Sequence, residues 1–170
     1  MSLFFLSVLT VFSGGISALI FSTRFQMSKF MAVFLIASGS LVGIVDAVLR
    51  LINHQTASAS VAYLNLFHLS FSIDGLSAFF LMAIFLVCFL AALYSYHYMD
   101  NEQKKIRCSV HYLFFSILTA SMALVVTAAN MITFMLCWEI MSLSSFFLVM
   151  FDYESAQNRK AGFLYLVFSH

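Results

Sequence analysis

The sequence contains few charged residues. Lys, Arg, Asp and Glu make up 9% of its 170 residues, whereas hydrophobic residues make up 63% and the mean hydropathy is +1.01. A soluble domain carries roughly a quarter charged residues. This shortage excludes an ordinary soluble domain and indicates a chain whose surroundings are the lipid bilayer. The net charge of +1 indicates no nucleic-acid partner, because such partners require a strongly basic surface.

Cysteine is also scarce. The three cysteines, Cys88, Cys108 and Cys137, show no CxxC spacing and have no ligand companions nearby in the sequence, which predicts neither a disulfide nor a metal site. The sequence lacks a Ser-His-Asp constellation, a glycine-rich phosphate loop and a cofactor fingerprint. We therefore expect no catalytic site and no bound cofactor in this chain. Any enzyme activity would belong to a complex in which the chain is one component.

Long apolar runs alternate with short charged connections. The five long runs are residues 3–21, 30–49, 76–99, 110–129 and 131–151. A sixth run, residues 161–170, is shorter than the roughly 20 residues that a membrane span needs. The pattern predicts an all-α integral membrane protein with five full transmembrane helices and a truncated sixth. We expect residues 1–170 to form a single membrane domain, the N-terminal fragment of a larger multi-helix subunit.

The connection between the second and third runs differs from the others. Residues 60–73 alternate apolar and polar side chains, which favours a short strand or hairpin. Asp74 and Gly75 close this segment, and Asp74 is placed to cap the third helix. We favour this structural role for Asp74 over the alternative, a direct role in transport.

The positive charges predict the orientation of the chain. Seven of the eight Lys and Arg residues belong to the first, third and fifth connections: Arg24, Lys29, Lys104, Lys105, Arg107, Arg159 and Lys160. The second connection has only Arg50 near it, and the fourth has no Lys or Arg. Because connections rich in Lys and Arg stay in the cytoplasm, the N-terminus is predicted to face outward.

Glu139 is the most informative residue for function. It lies near the middle of the fifth run and is the only ionisable side chain between Asn130 and Asp152 apart from Cys137. A carboxylate at that depth costs at least a few kcal/mol, so it usually has a functional role. We favour a role in holding or passing a proton. The alternative is a structural carboxyl that hydrogen bonds between helices, and Ser142, one turn later, is a candidate hydrogen-bond partner.

Other polar residues in the apolar runs are candidates for polar support of Glu139 or for a proton relay. Asp46 and Arg50 are four residues apart and share a helical face, so they can form a structural ion pair or a functional one. His111 begins the fourth run and is a candidate proton relay, although a plain interfacial histidine is equally consistent with the sequence.

Small residues mark the faces along which the first two helices pack. Gly39 and Gly43 are spaced four residues apart in the second run, and Gly14 and Ala18 have the same spacing in the first. This spacing lets helix backbones approach closely in a membrane.

Several segments together resemble a known superfamily. Residues 138–150 read WEIMSLSSFFLVM and residues 161–170 read AGFLYLVFSH, while IDGLSAFF at 73–80 and LYSYHYM at 93–99 extend the pattern. They resemble antiporter-like proton-pumping subunits, a superfamily that includes large membrane subunits of complex I, multisubunit Na+/H+ antiporters and membrane-bound hydrogenases. The resemblance is strongest to the branch of hydrogenase-4 component B and formate hydrogenlyase subunit 3.

The resemblance implies a function and partners. Glu139 matches the proton-translocating glutamate of the superfamily, whose partner is a lysine on a later, broken helix. The chain has no proline, which such broken helices typically contain. The chain is thus expected to be incomplete for transport alone and to need the missing C-terminal helices, other membrane subunits and redox subunits. The expected location is the cytoplasmic membrane of a bacterium or archaeon. The open alternatives are a subunit of complex I or of a cation/proton antiporter, and a structural membrane protein.

Overall fold

The described part of the chain forms six helices and one hairpin. In the computed structural model, residues 1–54, 56–63, 67–98, 105–152 and 155–169 are described. The elements, in chain order, are α1 (Ser2–Ile20), α2 (Phe25–Asn53), β1 (Ala57–Tyr63), β2 (Phe67–Ile73), α3 (Gly75–Tyr98), α4 (Lys105–Thr127), α5 (Met131–Val149) and α6 (Ala156–Ser169). A 3₁₀ turn, Met150–Asp152, follows α5.

The predicted fold class is confirmed. Helices α1 to α5 have 19 to 29 residues and are long and apolar enough to cross a membrane. Helix α6 has 14 residues, shorter than a full span, and begins five residues before the apolar run that predicted it. Two predicted positions, Lys104 and His170, lie outside the described residues.

Two of the five spanning helices are longer than their apolar runs. Helix α2 includes Lys29 at one end and Arg50 at the other, and α4 begins at Lys105 rather than at residue 110. Lys29 was predicted to lie in the first connection, but it belongs to α2. A Lys or Arg residue can belong to a helix near the membrane surface because the aliphatic part of its side chain packs on apolar neighbours. A hydropathy run therefore marks only the apolar part of a helix.

Helices α1 to α4 form a bundle, and α5 and α6 pack at its side. Helix α1 packs against α2 and α4, and α3 packs against α2 and α4. Helix α5 packs on α4, and α6 packs on α5. The apolar core has one cluster around Ile36 and Tyr112 and a second around Leu81 and Phe85. Helix α5 therefore has a bundle partner on only part of its surface.

Close packing of α1 against α2 depends on glycine, as the spacing predicted. A Cβ atom at Gly14 would lie 3.2 Å from the carbonyl oxygen of Ala32. A Cβ atom at Gly39 would lie 2.5 Å from Thr10 Oγ1 and 2.8 Å from the backbone nitrogen of Val11. Because the obstructing atoms include backbone, a side chain at either position would push the two helices apart.

The predicted hairpin is present at one end of the bundle. Strands β1 and β2 pair antiparallel, with Ala57 opposite Ile73 and Ser60 opposite Ser70. On β2, Phe71 and Ile73 are buried, whereas His68 is exposed, in keeping with the alternation of the sequence. The backbone N–H of Ala129 donates to the carbonyl oxygen of Ser70 at 2.8 Å, which attaches the hairpin to the connection between α4 and α5.

The opposite end of the bundle carries most of the positive charge. The Ser28 and Ser109 hydroxyls lie 3.1 Å apart, so the start of α2 adjoins the start of α4. The connections from α1 to α2 and from α5 to α6 lie at this end, because consecutive helices run antiparallel. Among the described Lys and Arg residues, only Arg50 belongs to the hairpin end.

Candidate proton-transfer site

Glu139 lies on a largely exposed side of α5. Three of the four buried residues of α5, Thr133, Cys137 and Ser144, form one stripe along the helix, and the fourth, Ser142, lies one turn after Glu139. Glu139 follows Cys137 by two residues, which is about 200° around a helix. Its side chain is exposed in this chain, beside exposed apolar residues such as Trp138 and Ile140. In a bilayer this face would present a carboxyl group to whatever covers α5.

Ser142 lies beside Glu139 but bonds to its backbone. The Ser142 hydroxyl donates to the carbonyl oxygen of Glu139 at 3.2 Å, and the Ser142 side chain is 2% exposed. This is the usual way in which a helical serine satisfies its own hydroxyl. This bond therefore involves the backbone of Glu139 and not its carboxyl group.

His111 lies between two cavities near the basic end. A cavity of about 300 Å³ between α4 and α5 is lined by His111, Arg107 and the rings of Phe114 and Phe147. A second cavity, of about 170 Å³, reaches His111 from the side of α3. The ring of His111 packs edge-on against that of Phe151, with the two centroids 5.0 Å apart. Its Nδ1 atom is buried and has no hydrogen-bond partner among the described residues.

A buried polar atom of this kind usually bonds to ordered water. The two cavities beside His111 provide space for such water molecules. An imidazole that contacts water on two sides can accept a proton on one side and release it on the other. His111 therefore has the surroundings of a relay residue, at the cytoplasmic end that the basic residues predict.

Asp46 and Arg50 form a buried ion pair. Arg50 Nε donates to Asp46 Oδ2 at 2.8 Å, one helical turn apart on α2, and the residues are 8% and 5% exposed. They line a cavity of about 220 Å³ together with the first residues of α1. The pair belongs to the hairpin end of the bundle.

The structure keeps these predicted site residues apart. His111 shares its cavity with Phe147, which follows Glu139 by eight residues, or about 12 Å along the helix axis. Asp46 and Arg50 belong to α2, which packs on α1, α3 and α4, whereas α5 packs on α4 and α6. In the part of the chain that the structure describes, no group of three His, Cys, Asp or Glu residues could hold a metal ion.

Asp74 forms the N-terminal cap of α3. Its Oδ1 atom accepts the backbone N–H of Ser77 at 2.7 Å, and its carbonyl oxygen accepts the N–H of Ala78. The hydrogen bond from the Ser77 N–H lowers the pKa of the Asp74 carboxyl below its ordinary value of 3.8. The carboxyl thereby satisfies one of the free N–H groups at the start of the helix.

The burial of Lys29 was not predicted from the sequence. This residue is 4% exposed, and its Nζ atom lies 4.6 Å from the centroid of the Tyr96 ring and 5.7 Å from that of Phe25. A cation over an aromatic ring is attracted by the charge distribution of the ring. Phe25, four residues before Lys29, was a signal in the sequence, but Tyr96 lies on α3, and only the tertiary structure brings it near.

A second missed feature is the polar network at the start of α5. Asn130 Oδ1 accepts the N–H of Thr133 at 2.7 Å, while Asn130 Nδ2 donates to the carbonyl oxygen of His68 at 2.6 Å. The Ser70 N–H donates to Thr133 Oγ1 at 3.1 Å. Asn130 thus caps α5 and fastens it to the hairpin. An Asn immediately before an apolar run was the available signal.

The chain is similar to known membrane subunits. The family model described as NADH-Ubiquinone oxidoreductase (complex I), chain 5 N-terminus, matches residues 60–107, from the hairpin through α3 to the first turn of α4. This match ends before α5 and therefore does not include Glu139.

Three relatives come from different kinds of complex. Hydrogenase-4 component B of Escherichia coli is 34% identical over 102 residues, which are 60% of this chain and 15% of that protein. A putative antiporter subunit, mnhA2, of Staphylococcus saprophyticus is 33% identical over 93 residues, or 54% of this chain and 11% of that protein. NADH-ubiquinone oxidoreductase chain 5 of Wickerhamomyces canadensis is 28% identical over 102 residues, or 60% of this chain and 15% of that protein.

The aligned part of this chain spans no more than 15% of the length of these relatives. All three are nevertheless subunits of the kinds that the sequence motifs predicted. The predicted resemblance of the chain to the antiporter-like membrane subunit superfamily is therefore confirmed.

Proposed function

We propose that this chain forms part of an antiporter-like membrane subunit that couples electron transfer in partner subunits to the movement of protons or Na+. The complex would be of the hydrogenase or formate hydrogenlyase type. The observation that carries the proposal is Glu139, a carboxyl on a largely exposed side of a helix that is apolar enough to span a membrane. A carboxyl in such a position is costly unless it has a functional role.

In this proposal Glu139 is the protonation switch. Further membrane helices, from the same polypeptide or from a neighbouring subunit, cover this exposed side of α5. A cation on these helices stabilises the carboxylate when it approaches and favours the neutral acid when it withdraws. The carboxyl group takes up a proton when the cation withdraws and releases it when the cation approaches. Each cycle of this movement therefore transfers one proton. The coupling requires a difference in contacts between two states of the covering helices.

Other polar residues would support the transfer. His111, beside two cavities at the basic end, is the proposed relay between the cytoplasm and the interior of the subunit. Asp46 and Arg50 would provide polar support at the other end of α2. No redox step is assigned to this chain, and the electron-transfer chemistry belongs to the partner subunits.

A second candidate function is a subunit of complex I or of a cation/proton antiporter. The similarity to complex I chain 5 and to an antiporter subunit favours it, since the three relatives differ little in identity. The neighbouring subunits distinguish the candidates. A partner with nickel-hydrogenase motifs indicates the hydrogenase type, and a partner that binds a nicotinamide indicates complex I.

The test is the substitution Glu139→Gln in the assembled complex. Glutamine retains the size and hydrogen-bonding ability of the side chain but cannot release a proton at ordinary pH. We expect proton translocation, measured in sealed membrane vesicles during electron transfer, to fall by roughly a hundredfold, as for loss of a general acid–base group. Asp74→Asn is the matched control, because it makes the same change at a capping residue outside the spans.

The outcomes separate the readings of Glu139. Normal assembly with lost translocation supports the proton switch. Normal translocation in Glu139→Gln contradicts it. Failure of the variant to assemble, while Asp74→Asn assembles normally, assigns the carboxyl to a structural role.

A further inference from the structure

The ion pair between Asp46 and Arg50 leaves polar atoms free on both partners. Both residues are more than nine-tenths buried, and their one hydrogen bond joins Arg50 Nε to Asp46 Oδ2. The Nη1 and Nη2 groups of Arg50 donate to none of the described residues, and Asp46 Oδ1 accepts from none. Buried charged groups normally use all of their hydrogen-bonding capacity. The pair is therefore only partly satisfied by the protein.

These free atoms adjoin a polar cavity. The cavity, of about 220 Å³, is lined by Asp46, Arg50 and Asn53 of α2. Met1 and Ser2, at the start of α1, complete the polar part of the lining. The cavity thus presents hydrogen-bond donors and acceptors side by side, with a guanidinium and a carboxylate on neighbouring turns.

The position of the cavity suggests its ligand. It lies where α1 begins and α2 ends, with Arg50 three residues before the end of α2 at Asn53. In a bilayer this level corresponds to the region of the phospholipid headgroups, where arginine side chains commonly lie. A headgroup is therefore the charged ligand that is present there at high concentration.

We propose that this cavity binds a phosphoethanolamine group, the headgroup of phosphatidylethanolamine. The free N–H groups of Arg50 bind the phosphate oxygens, and the primary ammonium donates to Asp46 Oδ1. A guanidinium matches a phosphate because its planar N–H groups donate two parallel hydrogen bonds. Arg50 supplies a positive charge for the phosphate and Asp46 a negative charge for the ammonium, so each charge of the ligand meets an opposite charge.

The same geometry disfavours other headgroups. The phosphatidylglycerol headgroup has the phosphate but no cation, so its binding would leave the Asp46 carboxylate beside an anion. The quaternary ammonium of phosphatidylcholine has no N–H group and cannot donate to Asp46 Oδ1. The proposal therefore predicts selectivity for the primary ammonium. Both this proposal and the proposed function assign a role to Asp46 and Arg50, but lipid retention is measured without proton movement, so the two can fail separately.

The experiment measures lipid retention by the full 170-residue chain. The purified protein, in detergent, is mixed with equal amounts of phosphatidylethanolamine, phosphatidylcholine and phosphatidylglycerol that have identical acyl chains. Native mass spectrometry then measures which lipid remains bound. We expect phosphatidylethanolamine to be retained roughly tenfold over each of the others, since one charge-assisted hydrogen bond is worth about a tenfold change in binding.

Two variants test the individual contacts. Arg50→Gln removes the phosphate contact, and we expect it to abolish the retention of phosphatidylethanolamine. Asp46→Asn removes the acceptor of the ammonium and leaves Arg50 without its counter-charge, so the preference should change to phosphatidylglycerol. Arg24→Gln is the matched control, since it removes an exposed arginine at the opposite end of α2 and should change neither preference.

Three further measurements address misfolding of a variant, the contribution of the Met1 amino group, and binding of the free headgroup. Should Arg50→Gln fail to fold, the selectivity of the natural protein and of Asp46→Asn still decides the question. Blocking the α-amino group of Met1, which also lines the cavity, should leave the selectivity intact. Free phosphoethanolamine that displaces the lipid would show that the headgroup alone is sufficient. Equal retention of the three lipids, or selectivity that Asp46→Asn does not alter, would overturn the proposal.

Discussion

At the scale of single residues, most hydroxyl groups are satisfied within their own helix. Ser7, Thr10 and Ser17 donate to carbonyl oxygens three residues earlier, and Thr119 and Ser144 donate to carbonyl oxygens four residues earlier. Such bonds are the usual way to place a hydroxyl in an apolar helix. Because the protons of these hydroxyls are already donated to the backbone, we assign the hydroxyls a structural role. The polar groups that remain are therefore few, and each can be assigned a specific test.

Asp74 provides a prediction about pH at this scale. The pKa of its carboxyl is lowered below 3.8 by the hydrogen bond from Ser77, so the folded state favours the ionised form. A lowered folded-state pKa stabilises the protein above the unfolded value, and this stabilisation disappears as the pH falls through the folded value. We expect Asp74→Ala to lower the unfolding temperature in detergent at pH 7 and to have a smaller effect at pH 3.

Asp74→Asn is the control for this pH dependence. Asparagine also caps helices but does not titrate, so its effect on the unfolding temperature should vary less between pH 7 and pH 3. An effect of Asp74→Ala that is equally large at both pH values would contradict the role of the ionised carboxyl.

At the scale of elements, the connections between helices depend on a few small or polar residues. Helices α1 and α2 approach closely at Gly14 and Gly39, while α5 is fastened to the hairpin through Asn130. Membrane helices gain little from hydrophobic association, so close packing and hydrogen bonds between elements determine their arrangement. These residues therefore affect the position of whole helices.

Gly39→Ala tests the close approach of α1 and α2. The added Cβ would lie 2.5 Å from Thr10 Oγ1 and 2.8 Å from the backbone nitrogen of Val11, so the helices must separate. We expect the free energy of unfolding to fall by about 1–3 kcal/mol, the usual cost of overpacking. The measurement is unfolding of the purified protein in mixed micelles.

Gly75→Ala is the matched control, since a Cβ atom at this position has no other atom within 4 Å. Its effect should be small or stabilising, because alanine is the better helix former. Equal destabilisation by the two substitutions would contradict the packing argument.

At the scale of the whole molecule, charge is distributed unevenly between the two ends. Of the described basic residues, Arg24, Lys105 and Lys160 are exposed at the end opposite the hairpin. Arg50 is the described basic residue at the hairpin end, and its charge is paired with Asp46. This asymmetry predicts that the hairpin and the N-terminus face outward while the basic end faces the cytoplasm.

Cysteine labelling tests this orientation. Ser58→Cys in β1 and Thr23→Cys between α1 and α2 place exposed thiols at opposite ends without changing the charge. The three natural cysteines are buried, which keeps background labelling low. In intact cells, a membrane-impermeant maleimide should label Ser58→Cys and leave Thr23→Cys unlabelled until the cells are opened. The reverse pattern would invert the topology.

Composition and local pattern alone determined the class of the protein. Five apolar runs predicted five membrane helices because a span must satisfy its own backbone and needs a minimum length. The alternation after residue 60 predicted the hairpin, and the spacing of Gly39 and Gly43 predicted a packing face. The segments around Glu139 and Asp74 indicated the superfamily. All of these properties depend on residues close together in the chain.

Only the tertiary structure decided which residues meet. It placed Tyr96 of α3 over Lys29 of α2, opened cavities on both sides of His111, and left the Glu139 side chain exposed. Contacts of this kind depend on the rotation and neighbours of each helix. In a sequence where nearly every face of a span is apolar, hydrophobic periodicity gives little information about that rotation, so only the packing of small and polar residues between helices determines it.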